Sequence, residues 1–286
     1  MTARPTVSVG VPVYNARLHI AQALESILAQ TYGDLEVVVL DNASTDGTTE
    51  ICESFARVDR RIRFTRNPIN RGAFANYSEV FRRSHGSLFK WASANDWCSP
   101  GFIEACVTAL GAQPDAVLSY PRTKLFSDDL TAAVPYDDKL NLQQDSPVAR
   151  VIRLLEGIHL NNVLNGLIRR TALERTQLHG PYYASDVVLL CELALLGKFI
   201  EIPEYLFFRQ MNPQTATKMM SPRERDAYIF GHGTISPRFS SWRLRMALLG
   251  LVVHGHINMS ERLKLLSYLV KFVYWDLHKD FVGAAG

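Results

Sequence analysis

The sequence predicts an α/β fold, in which a mostly parallel β-sheet carries helices on both faces. The first observation is an alternation of strand-like and helix-like segments over the first hundred residues. The second is that a strand such as 35–40, Leu-Glu-Val-Val-Val-Leu, is almost continuously apolar, as parallel strands buried on both faces are. With 286 residues, the chain is long enough to bury a large core.

Each element follows from its own local pattern. The first strand is a β-branched run that ends at Pro12, and the first helix has Ile20, Leu24 and Ile27 on one face. The predicted order is strand 6–11, helix 20–28, strand 35–40, helix 48–55, strand 61–65, helix 73–83, strand 87–92 and a helix from about 101. Beyond these we predict helix 151–158, helix 187–196, strand 199–203 and helices 221–230, 240–254 and 260–279. The alternation is typical of a Rossmann-like sheet.

The composition argues against several classes of protein. The chain has 31 basic and 28 acidic residues and a net charge of +3, which is too balanced for nucleic acid to be the main partner. The four cysteines form no CxxC pair, so we expect mostly buried free thiols and a reducing, cytoplasmic compartment. No apolar run reaches the roughly 18 residues that span a bilayer. We therefore expect a chain that does not cross a membrane.

The segment after the fourth predicted strand is the first candidate for function. Asp96 follows strand 87–92 and precedes Pro100, and open α/β sheets bind ligands at the carboxyl ends of their strands. The alternative is that Asp96 only turns the chain before the proline. Neither GxGxxG nor GxxxxGK(S/T) follows an early strand, which argues against a dinucleotide-dependent dehydrogenase and a P-loop enzyme.

Four sequence blocks carry a resemblance to a known family. They are VGVPVYN at 9–15, SILAQTY at 26–32, DNASTDGT at 41–48 and NDW at 95–97. In this order and spacing they resemble the successive blocks of family 2 glycosyltransferases, which have the GT-A fold. The resemblance covers about the first 210 residues. It implies an inverting enzyme that binds a nucleotide-diphosphate sugar and a divalent metal, Mn or Mg.

The resemblance also assigns the donor site residue by residue. Pro12 and Tyr14 would flank the nucleotide base, and Asp41 and Asn42 would contact the edges of the base and ribose. Asp96 would lie at the diphosphate. The full nucleotide-sugar set is Pro12, Val13, Tyr14, Asn15, Asp41, Asn42, Arg71, Ser93, Asn95 and Asp96. The alternative for Asn42 is a plain turn residue at the end of a strand.

The expected metal site departs from the family pattern. Where the family has Asp-X-Asp-Asp, this chain has Ser-Ala-Asn-Asp at 93–96. Asn95 can offer a carbonyl oxygen and Asp96 a carboxylate, so we expect weaker or more Mg-like metal binding, or partial independence of metal. Arg71 could offset phosphate charge instead, or could be a solvated surface residue.

An inverting transfer also needs a base that takes the proton of the acceptor hydroxyl. The resemblance assigns this role to Asp186, ahead of helix 187–196, where Ser185 replaces a common Glu. The alternative is a carboxylate that only stabilises the start of a helix. That placement lowers a pKa, so a neighbouring carboxylate or partial burial would have to offset it. Trp97 and Arg209 are assigned to the acceptor or loop side, where Arg209 would clamp phosphate or order loop 210–217.

The sequence reading therefore predicts a glycosyltransferase that uses a nucleotide-diphosphate sugar, with UDP or dTDP favoured, and a glycan or lipid-linked acceptor in cell-surface polysaccharide or glycolipid assembly. One alternative is a catalytically impaired protein that only binds a nucleotide sugar. A nucleotidyltransferase is a third, which the missing glycine-rich, basic first loop disfavours.

The remaining regions complete the prediction. Residues 1–220 would form the catalytic domain, with a nucleotide-sugar half at 1–120 and an acceptor half at 121–220, and residues 221–286 a helical extension. The last helix would bury an apolar face against this domain, a second subunit or an anionic membrane surface. The acidic pairs at 128–129 and 137–138 read as surface charge. The proposed apolar face comprises Leu263, Leu266, Leu269, Val270, Val273 and Leu277.

Overall fold

A nine-stranded β-sheet forms the centre of the molecule in the computed structural model, which describes residues 5–211, 221–231, 237–255 and 257–283. The order across the sheet is β3-β2-β1-β4-β8-β6-β9-β5, with β7 paired to β6. The strands are β1 (Val7–Val13), β2 (Leu35–Asp41), β3 (Ile62–Arg66), β4 (Leu88–Trp91), β5 (Trp97–Cys98), β6 (Ala116–Phe126), β7 (Val134–Tyr136), β8 (Leu167–Arg169) and β9 (Lys198–Gln210).

Helices pack on both faces of this sheet. They are α1 (Ile20–Leu28), α2 (Thr48–Val58), α3 (Ala73–Arg82), α4 (Phe102–Ala112), α5 (Pro147–Gly157), α6 (Arg170–Leu173), α7 (Ser185–Leu196), α8 (Pro222–Phe230), α9 (Pro237–His254) and α10 (Met259–Gly283). The neighbours β3, β2, β1 and β4 run parallel, as do β6 and β9. The predicted α/β class with a mostly parallel sheet is therefore confirmed.

The first strand runs further than its sequence indicates, because it continues through Pro12 to Val13. The carbonyl of Gly10 accepts the last hydrogen bond from the β4 side, from Ala92. Pro12 faces the same side two residues later, where β4 has ended, so its missing N–H costs no ladder bond. On its other side β1 stays paired with β2 up to Asp41. Both strands thus end together at the edge that carries the candidate site.

Strand β9, in the second half of the chain, is longer than predicted. The prediction of a strand at 199–203 is too short, because β9 continues to Gln210. Pro121 of β6 lies opposite Ile202, and the register shifts before Arg122 pairs with Tyr205. Such a bulge absorbs a proline and bends the strand. It allows β9 to resume pairing and to carry Arg209 towards the carboxyl ends of β1 and β4.

The C-terminal helices pack on the body of the molecule, which covers only part of the predicted apolar face of α10. Leu265 and Leu269 of α10 are buried in the same core cluster as residues of α5 and α7. Leu263, Leu266 and Val270 of the predicted apolar face are exposed in the single chain, so the body of the molecule does not cover them. Val273 and Leu277 lie outside the described side chains. The contacts of α10 with α5 and α9 decide which of its faces is covered. Helical periodicity alone does not decide this.

Two further predictions concern burial. All four cysteines are free and buried, as expected. None of the helices in the described parts of the chain is long and apolar enough to cross a membrane.

Candidate active site

The candidate site lies where β1, β2 and β4 end and where β9 and α7 approach them. Pro12 and Val13 are buried at the end of β1, Tyr14 is half-buried and Asn15 is exposed. Asn15 has a φ of +48°, a left-handed conformation that asparagine tolerates better than most residues. The sequence-predicted donor residues of the first loop are therefore adjacent, at the edge predicted for them.

The block 41–48 holds this first loop in place. Asn15 donates its backbone N–H to the Ser44 hydroxyl at 2.9 Å, and its side-chain oxygen accepts from the Thr45 N–H at 2.9 Å. Ala16 donates to the Thr48 hydroxyl at 2.8 Å. The polar side chains of this block thus bind the neighbouring loop, and their first role is to fix its backbone.

Asp41 is fully buried at the end of β2. One carboxylate oxygen accepts from the backbone and hydroxyl of Ser44 at 3.0 and 2.5 Å. The other accepts from the Thr49 hydroxyl at 2.7 Å and lies 3.3 Å from the Arg66 guanidinium. Both oxygens are thus engaged by the protein, which is what a buried carboxylate requires.

Asn42 is the centre of a buried amide network. Its side-chain oxygen accepts from Asn67 and from the backbone N–H of Arg71, each at 3.0 Å, and its nitrogen donates to Asn70 at 2.7 Å. Asn67 also donates to Asn76 of α3 at 3.2 Å. This network fixes loop 67–72. The Arg71 residue is exposed at that loop, at the margin of the site.

Asp96 lies in the turn after β4, tied to the end of β9. Its carboxylate accepts from the backbone N–H of Gln210 at 3.1 Å and from the Ser93 side chain. Burial raises the pKa of Asp96, while Arg209 and Lys90 act in the opposite direction. Trp97 packs edge-on against Phe208 at 4.9 Å, which holds the turn against β9. Contacts with β9, which is distant in the sequence, therefore fix this turn and the Asp96 carboxylate.

A buried lysine beneath this turn was missed in the sequence. Lys90 of β4 is 1% exposed. Its ammonium donates to the carbonyls of Trp91, at 3.2 Å, and Asn165, and lies 4.3 Å from the centre of the Phe102 ring. The sequence around a lysine in an apolar strand does not indicate which groups its ammonium will contact. In the structure it supplies a fixed positive charge on the protein side of Asp96.

The donor set suits a metal only in part. No group of three or more His, Cys, Asp or Glu side chains in the described parts of the chain is arranged to hold a metal ion. Asp96 is thus a single carboxylate, with the half-buried Asn95 beside it. Hard oxygen donors of this kind fit a Mg²⁺ or Mn²⁺ that takes its other ligands from phosphates and water.

Asp186 lies in the first turn of α7. One carboxylate oxygen accepts from the side-chain amide of Asn161, and the other from the backbone N–H of Val187 at 3.0 Å. Burial raises the pKa of Asp186 and outweighs the opposing hydrogen bonds and the charge of Arg209. From the sequence, we expected that partial burial could offset the pKa-lowering effect of the helix start. Asp186 is partly buried in this way. Ala184, two residues before, has a φ of +60°.

Arg209 connects the two carboxylates. Its guanidinium donates to the side-chain oxygens of Asn162 at 2.7 Å and of Asn161 at 3.4 Å. It acts electrostatically on both Asp96 and Asp186. The structure thus brings together three residues that are up to 113 positions apart in the sequence.

The acidic pair at 137–138 was wrongly predicted to be surface charge throughout. Asp137 is exposed, but Asp138 is 5% exposed. Asp138 accepts from the Thr123 hydroxyl and the Asn162 amide, each at 2.9 Å. Burial raises its pKa to about 6. A continuous hydrogen-bonded path therefore runs from Asp138 through Asn162 to Arg209.

The comparisons with known proteins fit this geometry. The family model described as glycosyl transferase family 2 matches residues 8–175. EpsH of Bacillus subtilis (strain 168), named as a glycosyltransferase, is 28% identical over 178 residues, which cover 62% of this chain and 51% of EpsH. GlyG, a glycosyltransferase of Streptococcus pneumoniae serotype 4, is 39% identical over 98 residues, 34% of this chain and 33% of GlyG. The chain thus spans about half the length of EpsH and a third of GlyG.

Solved structures share the fold. Residues 1–349 of S. aureus TarS in complex with UDP-GlcNAc match with a TM-score of 0.69 and 14% identity, over 92% of this chain and 71% of TarS 1–349. The mannosyltransferase PcManGT of Pyrobaculum calidifontis, in complex with GDP-Man and Mn²⁺, matches with a TM-score of 0.55 and 19% identity, over 99% and 83% of the two chains. The predicted GT-A fold is thereby confirmed.

Proposed function

Because the chain belongs to glycosyl transferase family 2, we propose that it transfers a sugar from a nucleotide-diphosphate sugar to an acceptor hydroxyl, with inversion at the anomeric carbon. One observation carries the proposal. Residues 209 and 210 of β9 join Asp96, on the predicted donor side, to Asp186, on the predicted acceptor side. An inverting displacement needs such a pair, because the leaving group and the base act on opposite faces of the sugar.

The donor side is preformed by internal hydrogen bonds. Asp41 and Asn42 have their polar atoms engaged by neighbouring loops, so in this proposal they shape the nucleotide slot beside Tyr14. UDP and dTDP remain the favoured donors. Support comes from the TarS structure with UDP-GlcNAc, whereas the PcManGT structure contains GDP-Man.

The diphosphate side of the reaction needs positive charge as the leaving group departs. Asp96 and Asn95 would hold a divalent metal, which, when bound, would neutralise charge on the diphosphate. Arg209, held by the Asn162 amide oxygen, adds a guanidinium directed at the same region. Two cationic groups on one phosphate site agree with the expectation of a reduced metal requirement.

Asp186 is the proposed base. Its raised pKa brings the carboxylate closer to the range in which it can accept a proton from a hydroxyl during bond formation. Asn161 fixes the orientation of the carboxylate. The acceptor in this proposal is a glycan or a lipid-linked saccharide of cell-surface polysaccharide, because TuaG of Bacillus subtilis, named for teichuronic acid biosynthesis, is 32% identical over 93 residues. The four buried free thiols support a reducing, cytoplasmic compartment.

The test is calorimetric titration of UDP, dTDP and GDP with and without Mn²⁺, followed by turnover of the donor that binds. We expect Asp96→Ala to abolish metal-dependent binding. Asp186→Asn should bind the nucleotide like the wild type but lose turnover by about 100-fold or more. Glu50→Gln, an exposed first-turn carboxylate of α2, is the matched control for Asp186→Asn and should keep full activity.

Two results would contradict the proposal. If no nucleotide binds under any condition, the donor site is wrong. If a nucleotide sugar binds but is never transferred or hydrolysed, the alternative of a binding protein without catalysis is correct.

A further inference from the structure

Helix α9 presents an apolar stripe to the outside of the molecule. The stripe consists of Trp242, Met246, Leu249 and Val253, which are 60%, 47%, 39% and 60% exposed. Their spacings of four, three and four residues place them within about 60° of one another on a helix that turns about 100° per residue. Leu248 and Leu251, which pack into the core, lie on the roughly opposite side. The stripe therefore faces away from the body of the protein.

Helix α10 repeats the pattern. Met259, Leu263, Leu266 and Val270 follow the same spacing and are 70%, 61%, 38% and 57% exposed. We call these eight residues together the C-terminal apolar surface. Single exposed apolar residues are ordinary, but two adjacent helices with matched stripes mark an interaction surface.

The charge around this surface is strongly positive. Between residues 242 and 272 the sequence has five basic residues and one acidic residue, Glu261. Glu261 is turned inward, where it accepts from the hydroxyl of Ser146 at 3.1 Å. Arg243 and Arg245 lie on the two sides of the α9 stripe by helical position. Lys264 of α10 is 65% exposed, and its ammonium lies 3.9 Å from the Glu261 carboxylate. The apolar surface is thus bordered by cations, with its one carboxylate held by the N-cap of α5.

We propose that the C-terminal apolar surface docks on an anionic phospholipid bilayer. Helices that bind at a membrane surface combine an apolar face of Trp, Leu and Met with flanking Lys and Arg. Each basic side chain near the surface is attracted by anionic headgroups. A second copy of the chain fits less well, because a two-fold interface would bring the same basic residues face to face.

The docked orientation is set by contacts with the body. Arg243 donates to the carbonyl of Pro181 at 3.4 Å, and Pro181 precedes Asp186 by five residues. This contact places the start of α9 beside the segment that leads into α7. Docking itself does not depend on the proposed transferase activity. If that activity is also correct, the bilayer lies on the side suited to a lipid-linked acceptor.

The experiment is flotation of the full chain with vesicles of phosphatidylcholine alone or of equal parts phosphatidylcholine and phosphatidylglycerol, at low and high salt. We expect binding to the anionic vesicles only, reduced at high salt. Trp242→Ser/Met246→Ser and Arg243→Glu/Arg245→Glu should each reduce binding about tenfold or more. Val58→Ser, which removes an 83% exposed apolar side chain from α2, is the control and should bind like the wild type.

Thermal unfolding of each variant shows whether it is folded before its binding is interpreted. The proposal is overturned if the wild type binds neither vesicle, if it binds neutral and anionic vesicles equally, or if the folded double variants still bind. It is also overturned if no vesicle binds and Trp242→Ser/Met246→Ser turns a dimer into a monomer, because a second copy then covers the surface.

Discussion

The buried carboxylate of Asp138 lowers stability when it is charged, and it also orients a neighbouring side chain. Its carboxylate is buried, with the Thr123 hydroxyl and the Asn162 amide as donors, and its pKa is raised to about 6 from an ordinary 3.8. At neutral pH the protein must keep a charge in a place where burial disfavours it. The charge also orients the Asn162 amide, whose oxygen accepts a hydrogen bond from Arg209.

The first prediction is that Asp138→Asn makes the protein more stable and less active at pH 7. A carboxyl with a raised folded-state pKa binds its proton more tightly in the folded state, so its ionisation lowers stability as pH rises through about 4 to 6. The neutral amide removes a penalty of up to about 3 kcal/mol and loses about 1 kcal/mol of hydrogen bonding. We expect a net gain of about 1–2 kcal/mol at pH 7 in urea unfolding, which disappears below pH 4.

Activity should change in the opposite direction in the same variant. With Asn162 and Arg209 less well held, we expect kcat/KM to fall about 10- to 100-fold. Asp137→Asn, next to it and exposed, should change neither stability nor activity. Full activity in Asp138→Asn would show that the path from Asp138 does not position Arg209.

The same residues show how far the sequence predicts a site. Asp96 and Asp186 could be proposed from the sequence, because each follows or opens a recognisable element in a recognisable block. Asp138 and Lys90 could not, since nothing local distinguishes a buried charge from a solvated one. Their burial arises from strands and loops that are distant in the sequence, as in the contact of Lys90 with the carbonyl of Asn165.

At the scale of elements, two loops and one helix depend on close backbone approach. Gly72 has a φ of +85°, and a Cβ there would lie 2.5 Å from the carbonyl oxygen of Ile229 at the end of α8. Gly231 has a φ of +67°, and its Cβ would lie 2.7 Å from the carbonyl of Asn70. Loop 67–72 and α8 therefore meet through two glycines that no larger residue can replace without movement.

The second prediction is that Gly72→Ala destabilises the protein and weakens nucleotide binding. The left-handed backbone and the contact with Ile229 together should cost about 2–3 kcal/mol. Displacement of loop 67–72 should also disturb the amide network around Asn42 and increase the Kd for the nucleotide. Chemical denaturation and calorimetry measure the two effects.

The control is Gly111→Ala in α4, where a Cβ would meet no atom within 4 Å. In a helix this change should stabilise the protein by about 0.5–1 kcal/mol. Equal effects of Gly72→Ala and Gly111→Ala would show that the contact between loop 67–72 and α8 is not restrictive.

Element prediction succeeded where local pattern and packing agree. Helix α1 was predicted at its observed position, because its apolar residues face the sheet. The apolar face of α10 is covered only in part within the single chain, because Leu263, Leu266 and Leu269 fit one stripe in sequence but only Leu269 meets the core. Periodicity predicts that a helix has an apolar side, and the neighbouring elements decide which apolar residues are covered.

At the scale of the whole molecule, His179 lies where the sheet, α3 and the segment before α7 meet. Its ring stacks on Phe74 at 5.8 Å and meets Tyr77 and Trp91 edge-on, each at 5.3 Å. Among the residues that the structure describes, neither ring nitrogen has a hydrogen-bond partner, and the side chain is buried. Burial lowers the pKa of His179 to about 4 from 6.5, so the ring is neutral at pH 7.

The third prediction concerns acid stability. A histidine whose pKa is lowered on folding binds its proton more tightly when unfolded, so stability is lost as pH falls from about 6.5 to 4. The full loss from this residue is about 3.5 kcal/mol, and about 3 kcal/mol of it has occurred by pH 4, where the folded state is half protonated. His179→Phe keeps an aromatic ring among Phe74, Tyr77 and Trp91, and the new side chain cannot bind a proton. Relative to the wild type, its stability should therefore rise by about 3 kcal/mol between pH 7 and pH 4.

Urea unfolding of both proteins at several pH values measures this difference. His159, which is exposed, provides the control, and His159→Phe should not reproduce the change. Asp138 and Glu192, whose pKa values are raised to about 6 and 7, act in the opposite direction, since folding favours their protonated forms as pH falls. They are unchanged in both proteins, so they cancel from the comparison. If the difference in free energy of unfolding between His179→Phe and the wild type does not change with pH, then water reaches the His179 ring well before the ring is protonated.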